Sequence, residues 1–158
     1  MNIKYRRAKE SDAEEIGFVL KECYNIKDVD EGKETFLSEL EKGHNFVVSF
    51  SETGIIGIAS WIIHGLPKHG LAELDRIGLL PEFRGKGVSK FLFEFLFEDI
   101  KKYYKEKGYT LRKLYLLTHE DNMRAQEFYK VLGFSYEVTL KDHYYKGKGE
   151  WLMSIFFD

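Results

Sequence analysis

The sequence predicts an α/β (α+β) fold, with a single mixed, mostly antiparallel sheet of six to seven strands and helices on both faces. The chain has 158 residues, the length of one domain with a full core. Hydrophobic residues make up 44% and charged residues 32%, as in folded chains. Strands alternate with helices in the second half, whereas the middle of the chain forms a hairpin. We therefore expect one domain over residues 1–158.

Apolar residues that alternate with polar ones, or short apolar runs between turn residues, indicate the strands. The predicted strands cover residues 3–7, 46–50, 55–63, 71–80, 113–118, 134–140 and 150–157. Thr53 and Gly54 supply the turn of the central antiparallel hairpin.

Apolar residues at helical spacing, bounded by capping residues, indicate the helices. They are a first helix opened by a capping box at residues 11–14, a second over 34–42, a third from 88 to Gly108, and a fourth over 122–132. Residues 27–34 form a charged loop before the second helix. The predicted buried stripe of the third helix is Val88, Phe91, Leu92, Phe95, Leu96, Ile100 and Tyr103.

Charge and composition exclude several classes of function. Lys and Arg number 24 against 26 Asp and Glu, so bulk charge does not favour nucleic-acid binding. The single Cys23 excludes an internal disulfide framework and a multi-cysteine zinc site, and we expect no metal. The apolar runs are too short for a membrane span, and the polar N-terminus is not a signal peptide. We expect a cytoplasmic protein without a membrane or nucleic-acid partner.

A glycine loop follows the fourth predicted strand and opens the third helix. It reads Arg84-Gly85-Lys86-Gly87-Val88-Ser89. Backbone N–H groups that glycine leaves unhindered can bind a phosphate, and a helix N-terminus adds partial positive charge. The spacing fits neither a P-loop nor a Rossmann fingerprint, and an ordinary turn is the alternative.

A second segment, residues 122–134, follows the strand at 113–118. Asn122 starts its helix, and Tyr129 lies two turns later on nearly the same side. The alternatives are a simple N-cap for Asn122 and a packing role for Tyr129.

Together the two segments resemble the GNAT superfamily of acyl-CoA-dependent N-acyltransferases. Arg84-x-x-Gly87-x-Ser89 is similar to its pyrophosphate loop, and Asn122-x-x-Ala125-x-x-Phe128-Tyr129-x-x-Leu132-Gly133-Phe134 to its second cofactor motif. The resemblance implies acetyl-CoA as cosubstrate, in a gap between the strands 71–80 and 113–118. The implied cofactor contacts are Ile77, Gly78, Leu79, Arg84, Gly85, Lys86, Gly87, Val88, Ser89, Asn122 and Tyr129.

The resemblance also implies roles and shows two departures. Tyr129 would be the acid that protonates the leaving thiolate, and Asn122 would hold the cofactor arm. Ser89 stands where the family has Gly or Ala, and phosphate binding should survive because serine is small. Gly78 replaces a larger residue, which indicates a bulge or the close approach of a ligand.

An amine must lose its proton before it attacks, so a base is needed. Glu73 lies eleven residues before Arg84, the offset of the base in the histone acetyltransferase branch. Asp75 shares its strand face, and the alternative is a structural carboxylate paired with Arg76 or a lysine. The base position of another branch falls on Leu117, so that route is closed, and His119 is a candidate relay.

Two groups of residues are candidates for binding the amine acceptor. Asp28, Asp30 and Glu31 could attract a cationic amine, although a solvated loop is the alternative. Tyr144 and Tyr145, in a loop before the last strand, resemble tyrosines with which peptide N-terminal acetyltransferases hold a peptide. We expect direct transfer to a small amine or polyamine, a peptide N-terminus or a lysine. A non-catalytic acyl-CoA-binding regulatory module is the alternative, and a homodimer is compatible with the sequence.

Overall fold

The computed structural model describes residues 2–157, which contain one seven-stranded sheet and four α-helices. The strands are β1 (Lys4–Arg7), β2 (Asn45–Ser51), β3 (Gly54–His64), β4 (Leu71–Leu79), β5 (Lys113–His119), β6 (Ser135–Tyr145) and β7 (Lys148–Phe156). Their order is β1-β2-β3-β4-β5-β7-β6. β4 and β5 are parallel, whereas β1–β2, β2–β3, β5–β7 and β6–β7 are antiparallel. The predicted mixed, mostly antiparallel sheet is confirmed.

The helices are α1 (Ala13–Cys23), α2 (Val29–Glu41), α3 (Val88–Glu106) and α4 (Met123–Leu132). The predicted capping box at residues 11–14 is wrong, because a 3-10 turn over Glu10–Asp12 precedes α1. The Asp12 carboxylate accepts the Lys9 N–H at 2.8 Å and two hydrogen bonds from the Arg6 guanidinium. These bonds tie the start of α1 to β1.

α2 begins at Val29, so most of the predicted charged loop at 27–34 is helical. Asp28 caps the helix, since its Oδ1 accepts the Glu31 N–H at 2.8 Å. The Glu31 carboxylate in turn accepts the Lys27 N–H at 3.0 Å. The first bond satisfies an N–H group that a helix start leaves unpaired, and the second holds the residue before the cap. The dense charge of the run hides the helix from a prediction based on apolar spacing.

The chain divides into two compact units, of which the first holds residues up to Ile62 together with Arg76–Tyr103. Its core consists of Ala13, Ile16, Val19, Leu20, Phe36, Phe46, Val48, Ile55, Ile56, Ile58, Leu79, Leu80 and Val88. Along α3, Leu92, Leu96 and Ile100 are buried as predicted. Phe91 is 56% exposed, and Phe93, three residues before Leu96 on the buried side, is buried in its place.

The second unit holds Ile63–Asp75 with the residues from Tyr104 onwards. Its fully buried apolar side chains include Ala72, Leu114, Leu116, Phe134 and Met153. Tyr104, rather than the predicted Tyr103, is buried, and its hydroxyl donates to the Leu71 carbonyl at 2.9 Å. β4 and β5 pair here over Leu71–Glu73.

Among the helices of residues 2–157, none combines the length and the apolar character that a membrane span requires.

Candidate active site

The glycine loop combines left-handed backbone with open space at the start of α3. Gly85 and Gly87 have φ of +77° and +80°, a region that side chains rarely adopt. A Cβ at Gly85 would meet no atom within 4 Å, and one at Gly87 only Phe91, so space lies open beside the loop. Within residues 2–157, no backbone hydrogen bond outside helices and strands uses the N–H groups of Val88 or Ser89, the first two residues of α3. These donors suit a phosphate.

Arg84 fixes the start of the loop. Its Nε donates to the Leu79 carbonyl at 2.9 Å, and its Nη2 lies 3.8 Å from the Cys23 Sγ. The Cys23 thiol also donates to the Leu79 carbonyl at 3.4 Å, and burial raises the pKa of this thiol. Arg84 and Lys86 are exposed and place positive charge at the loop.

The predicted cofactor contacts on β4 are engaged with the chain itself. The Tyr24 hydroxyl accepts the Ile77 N–H at 3.0 Å and donates to the Ile77 carbonyl at 3.2 Å. The Arg76 guanidinium lies 4.7 Å from the centre of the Tyr24 ring. A cofactor arm that pairs with Ile77 must displace the phenol, so these contacts stay a prediction.

The end of α1 packs so closely against Gly78 that a larger residue would not fit there. A Cβ at this position would lie 3.0 Å from both Cβ and Sγ of Cys23 and 3.5 Å from the Tyr24 ring. Contacts at 3.0 Å are too tight for an unshifted side chain. The close approach predicted for a ligand is thus made by the end of α1.

Glu73 lies in a cluster of hydrogen-bonding side chains in the second unit. Its Oε1 lies 2.8 Å from the His64 Nε2 and 3.3 Å from the Tyr115 hydroxyl, which donates to it. The predicted alternative, a pair with Arg76, is wrong, because Arg76 forms a two-point ion pair with Glu39 at 2.8–2.9 Å. The sequence analysis missed Tyr115 as a partner, and parallel pairing of Glu73 with Tyr115 explains the contact.

Two further predicted residues affect the pKa of Tyr115. Burial, followed by the charge of Glu73 and its hydrogen bond, raises the pKa of the Tyr115 phenol. Electrostatic interactions with Tyr144 and Asp75 add to this rise. In the second unit, the candidate base Glu73, Asp75 and Tyr144 therefore all interact with the Tyr115 phenol.

α4 carries the second motif. The Asn122 Oδ1 accepts the Ala125 N–H at 3.2 Å, so Asn122 is the N-cap of α4, as the alternative interpretation predicted. Its side-chain N–H₂ group remains a donor. Tyr129 packs against the rings of Phe128 and Phe134. Burial raises its pKa to about 12. Among residues 2–157, no side chain hydrogen-bonds its hydroxyl, so the phenol is protonated at neutral pH and keeps its donor unused.

His119, the predicted relay, is bound to a residue that the sequence analysis did not single out. Its Nδ1 lies 2.6 Å from Oε2 of Glu150, which is 2% exposed. The two are opposite each other in the β5–β7 register. The ring centres of His119 and Tyr145 are 6.1 Å apart.

The predicted acceptor residues lie in regular structure rather than in loops. Asp28 and Glu31 are occupied at the start of α2, and Asp30 is exposed in its first turn. Tyr144 and Tyr145 belong to the end of β6, and both are more than half exposed. Charge near an amine and aromatic surface near a peptide stay predictions for these residues.

Comparison with known proteins identifies the fold. A search of curated proteins found no match in sequence. PaiA N-acetyltransferase from Thermoplasma acidophilum, solved in complex with coenzyme A, is 25% identical, with a TM-score of 0.74 over 99% of this chain and 100% of its own. Spermidine N-acetyltransferase SpeG from Vibrio cholerae is 21% identical, with a TM-score of 0.76 over 98% and 93%.

The ribosomal-protein-S18-alanine N-acetyltransferase from Escherichia coli is 16% identical, with a TM-score of 0.77 over 98% of this chain and 93% of its own. In sequence, the profile of the Acetyltransferase (GNAT) family matches residues 9–134, well over half of the chain. Both sequence motifs, residues 84–89 and residues 122–134, lie within this range. The chain therefore belongs to the GNAT acetyltransferase family.

Proposed function

We propose that the protein transfers an acetyl group from acetyl-CoA directly to a primary amine. The observation that carries this proposal is Tyr129, a phenol with its pKa raised to about 12 and no hydrogen-bond partner among residues 2–157. Acetyl-CoA supplies the thioester that the amine attacks. A protein that only bound acyl-CoA would need no such donor.

The glycine loop is the proposed phosphate site. Gly85 and Gly87 leave open space, and the first amides of α3 lack backbone partners among the described residues. Arg84 and Lys86 add side-chain donors and positive charge. The contacts at Ile77 and Leu79 require Tyr24 and Arg84 to release the backbone groups that they now hold. The loop therefore supports cofactor binding more directly than β4 does.

Tyr129 and Glu73 have opposite proton roles in this proposal. Tyr129 donates a hydrogen bond to the departing sulfur. Since its raised pKa disfavours complete loss of its proton, hydrogen bonding is its main contribution. Glu73 accepts the proton of the ammonium group, with Asp75 beside it as a further negative charge.

The proposed acceptor is a cationic primary amine. SpeG acts on spermidine and the Escherichia coli enzyme on a ribosomal-protein alanine, so amines of both kinds occur among proteins of this fold. The carboxylates of Glu73 and Asp75 favour a cation, and the exposed Tyr144 and Tyr145 offer surface for a chain attached to it.

The test is a thiol-release assay with acetyl-CoA and a panel of polyamines, short peptides with free N-termini and N-terminally blocked lysine peptides. The proposal requires thiol release that depends on an amine, with an acetylated product in mass spectrometry. Coenzyme A binding in calorimetry without release for any amine would instead identify a regulatory acyl-CoA-binding module.

A further inference from the structure

We propose that His64 and Tyr115 are positioning residues that hold one oxygen of Glu73 and leave the other to accept the proton of the amine. The inference rests on the proposed function, because it assigns parts to the base of that reaction. Neither residue belongs to the two motifs that carry the family resemblance.

The contacts divide the two carboxylate oxygens of Glu73. His64 Nε2 at 2.8 Å and the Tyr115 hydroxyl at 3.3 Å both bind Oε1. Among residues 2–157, no hydrogen bond is made to Oε2. The Glu73 side chain is 14% exposed, whereas that of His64 is 40% exposed. Glu73 is thus held from two strands at one oxygen and left open at the other.

The arrangement fits the proton balance of the proposed reaction. An ammonium ion and acetyl-CoA give an amide, a thiol and one proton, as the N–C bond forms and the C–S bond breaks. Oε2 of Glu73 accepts the first proton that the ammonium loses, and the carboxyl later returns it to water. The nitrogen loses its second proton as the C–S bond breaks, and the departing sulfur ends with that proton as the thiol. A carboxylate fixed by two donors at Oε1 presents Oε2 in one orientation, and small misplacements of a reacting group cost up to about 10² in rate.

The charge of His64 affects how strongly Glu73 attracts the substrate ammonium. A histidine changes its charge between about pH 5 and 8. His64 on β3 contacts Glu73 directly, and Asp75 on β4 and Tyr144 on β6 interact electrostatically with Tyr115. An imidazolium competes with the substrate ammonium for Glu73. A charged imidazole at this position would therefore weaken amine binding.

Three variants separate donation from charge. Tyr115→Phe keeps the ring and removes the donor. His64→Gln places an amide N–H₂ near the position of Nε2, so it keeps a donor but cannot ionise. His64→Phe keeps an aromatic ring against Tyr115, whose ring centre lies 5.6 Å from that of His64, and removes the donor.

The experiment measures kcat/KM for the best amine from pH 5.5 to 9, with coenzyme A affinity by calorimetry as the control. We expect about tenfold losses at pH 8 for Tyr115→Phe and His64→Phe, with unchanged coenzyme A affinity. His64→Gln should stay within about threefold of wild type at pH 8, while its acidic limb moves to lower pH.

An active wild type whose variants keep the wild-type rate and pH profile would overturn the inference and leave the proposed function standing. So would a His64→Gln profile that matches that of His64→Phe at every pH. A wild type without thiol release for any amine would overturn the proposed function itself.

Discussion

His119 and Glu150 form a hydrogen bond of 2.6 Å between Nδ1 and Oε2, in which the carboxylate is almost completely buried. His119 is the only hydrogen-bond partner of the Glu150 side chain among residues 2–157. A buried carboxylate without a partner is costly, so the imidazole is needed for the stability of the β5–β7 pair.

Replacing His119 by Ala should therefore lower the free energy of unfolding by about 1–3 kcal/mol at neutral pH. Adding Glu150→Gln should recover part of this loss, because a neutral amide is less costly to bury than an unpaired carboxylate. Urea denaturation of the single and double variants measures both changes. Equal stabilities of His119→Ala and the double variant would show that the charge of Glu150 is not the cause.

Asp12 should make stability depend on pH in the acidic range. Hydrogen bonds from Arg6 lower its pKa against the opposing effect of burial, with help from the Lys9 amide. Because the folded-state pKa lies below the unfolded value of about 3.9, this stabilisation is complete above that value and is lost as pH falls through the folded pKa.

The matched variant is Asp12→Asn, which keeps the shape and removes the charge. It should be less stable than wild type by about 1–2 kcal/mol at pH 7, and the difference should shrink towards pH 2. Thermal unfolding followed by circular dichroism at several pH values measures this convergence. A difference that stayed constant with pH would contradict the assigned cause.

Gly78→Ala should destabilise the first unit, because the new methyl group would lie 3.0 Å from Cys23. We expect a loss of about 1–3 kcal/mol, typical of overpacking. Cys23→Ala in the same chain removes Sγ and should recover part of the loss. Additive effects of the two substitutions in chemical denaturation would show that they do not share this contact.

Gly87→Val should weaken coenzyme A binding about tenfold or more, since a branched side chain would both strain the loop at φ +80° and enter the open space beside it. Gly108→Val is the control, because Gly108 has φ of +82° and no atom near its Cβ position at the other end of α3. In calorimetry, the control should lose stability but keep its affinity. Equal affinities for both variants would remove the loop from the phosphate site.

Tyr129→Phe should lower kcat about 10²-fold and leave coenzyme A affinity unchanged. A thiol has a reference pKa of about 8.5 and leaves moderately well without help, so the loss lies at the low end of acid catalysis. Wild-type Tyr129, whose pKa is about 12, stays protonated up to pH 10. Its ionisation should therefore add no basic limb to the pH profile of kcat in that range. Steady-state kinetics on the folded variant tests both points.

The local order of strands and helices was predictable, whereas the pairs of the site were not. Asn122 and Gly133 lie at the two ends of α4, as their residue types predict. The partners of Glu73 lie 9 and 42 residues away, and that of Ile77 lies 53 residues away. Such pairs depend on strand register and helix packing, which residue spacing within one segment does not encode. The many charged residues at 27–34 likewise prevented apolar spacing from predicting the start of α2.

The hydroxyl of Tyr24 has a consequence for solubility. Unpaired N–H and C=O groups along a strand form a template on which another polypeptide can add a strand and begin to aggregate. The register of β4 with β5 covers Leu71–Glu73, and at Ile77 both backbone groups are bonded to the phenol. The Tyr24 hydroxyl thus occupies the backbone groups of Ile77 that an intermolecular strand would need.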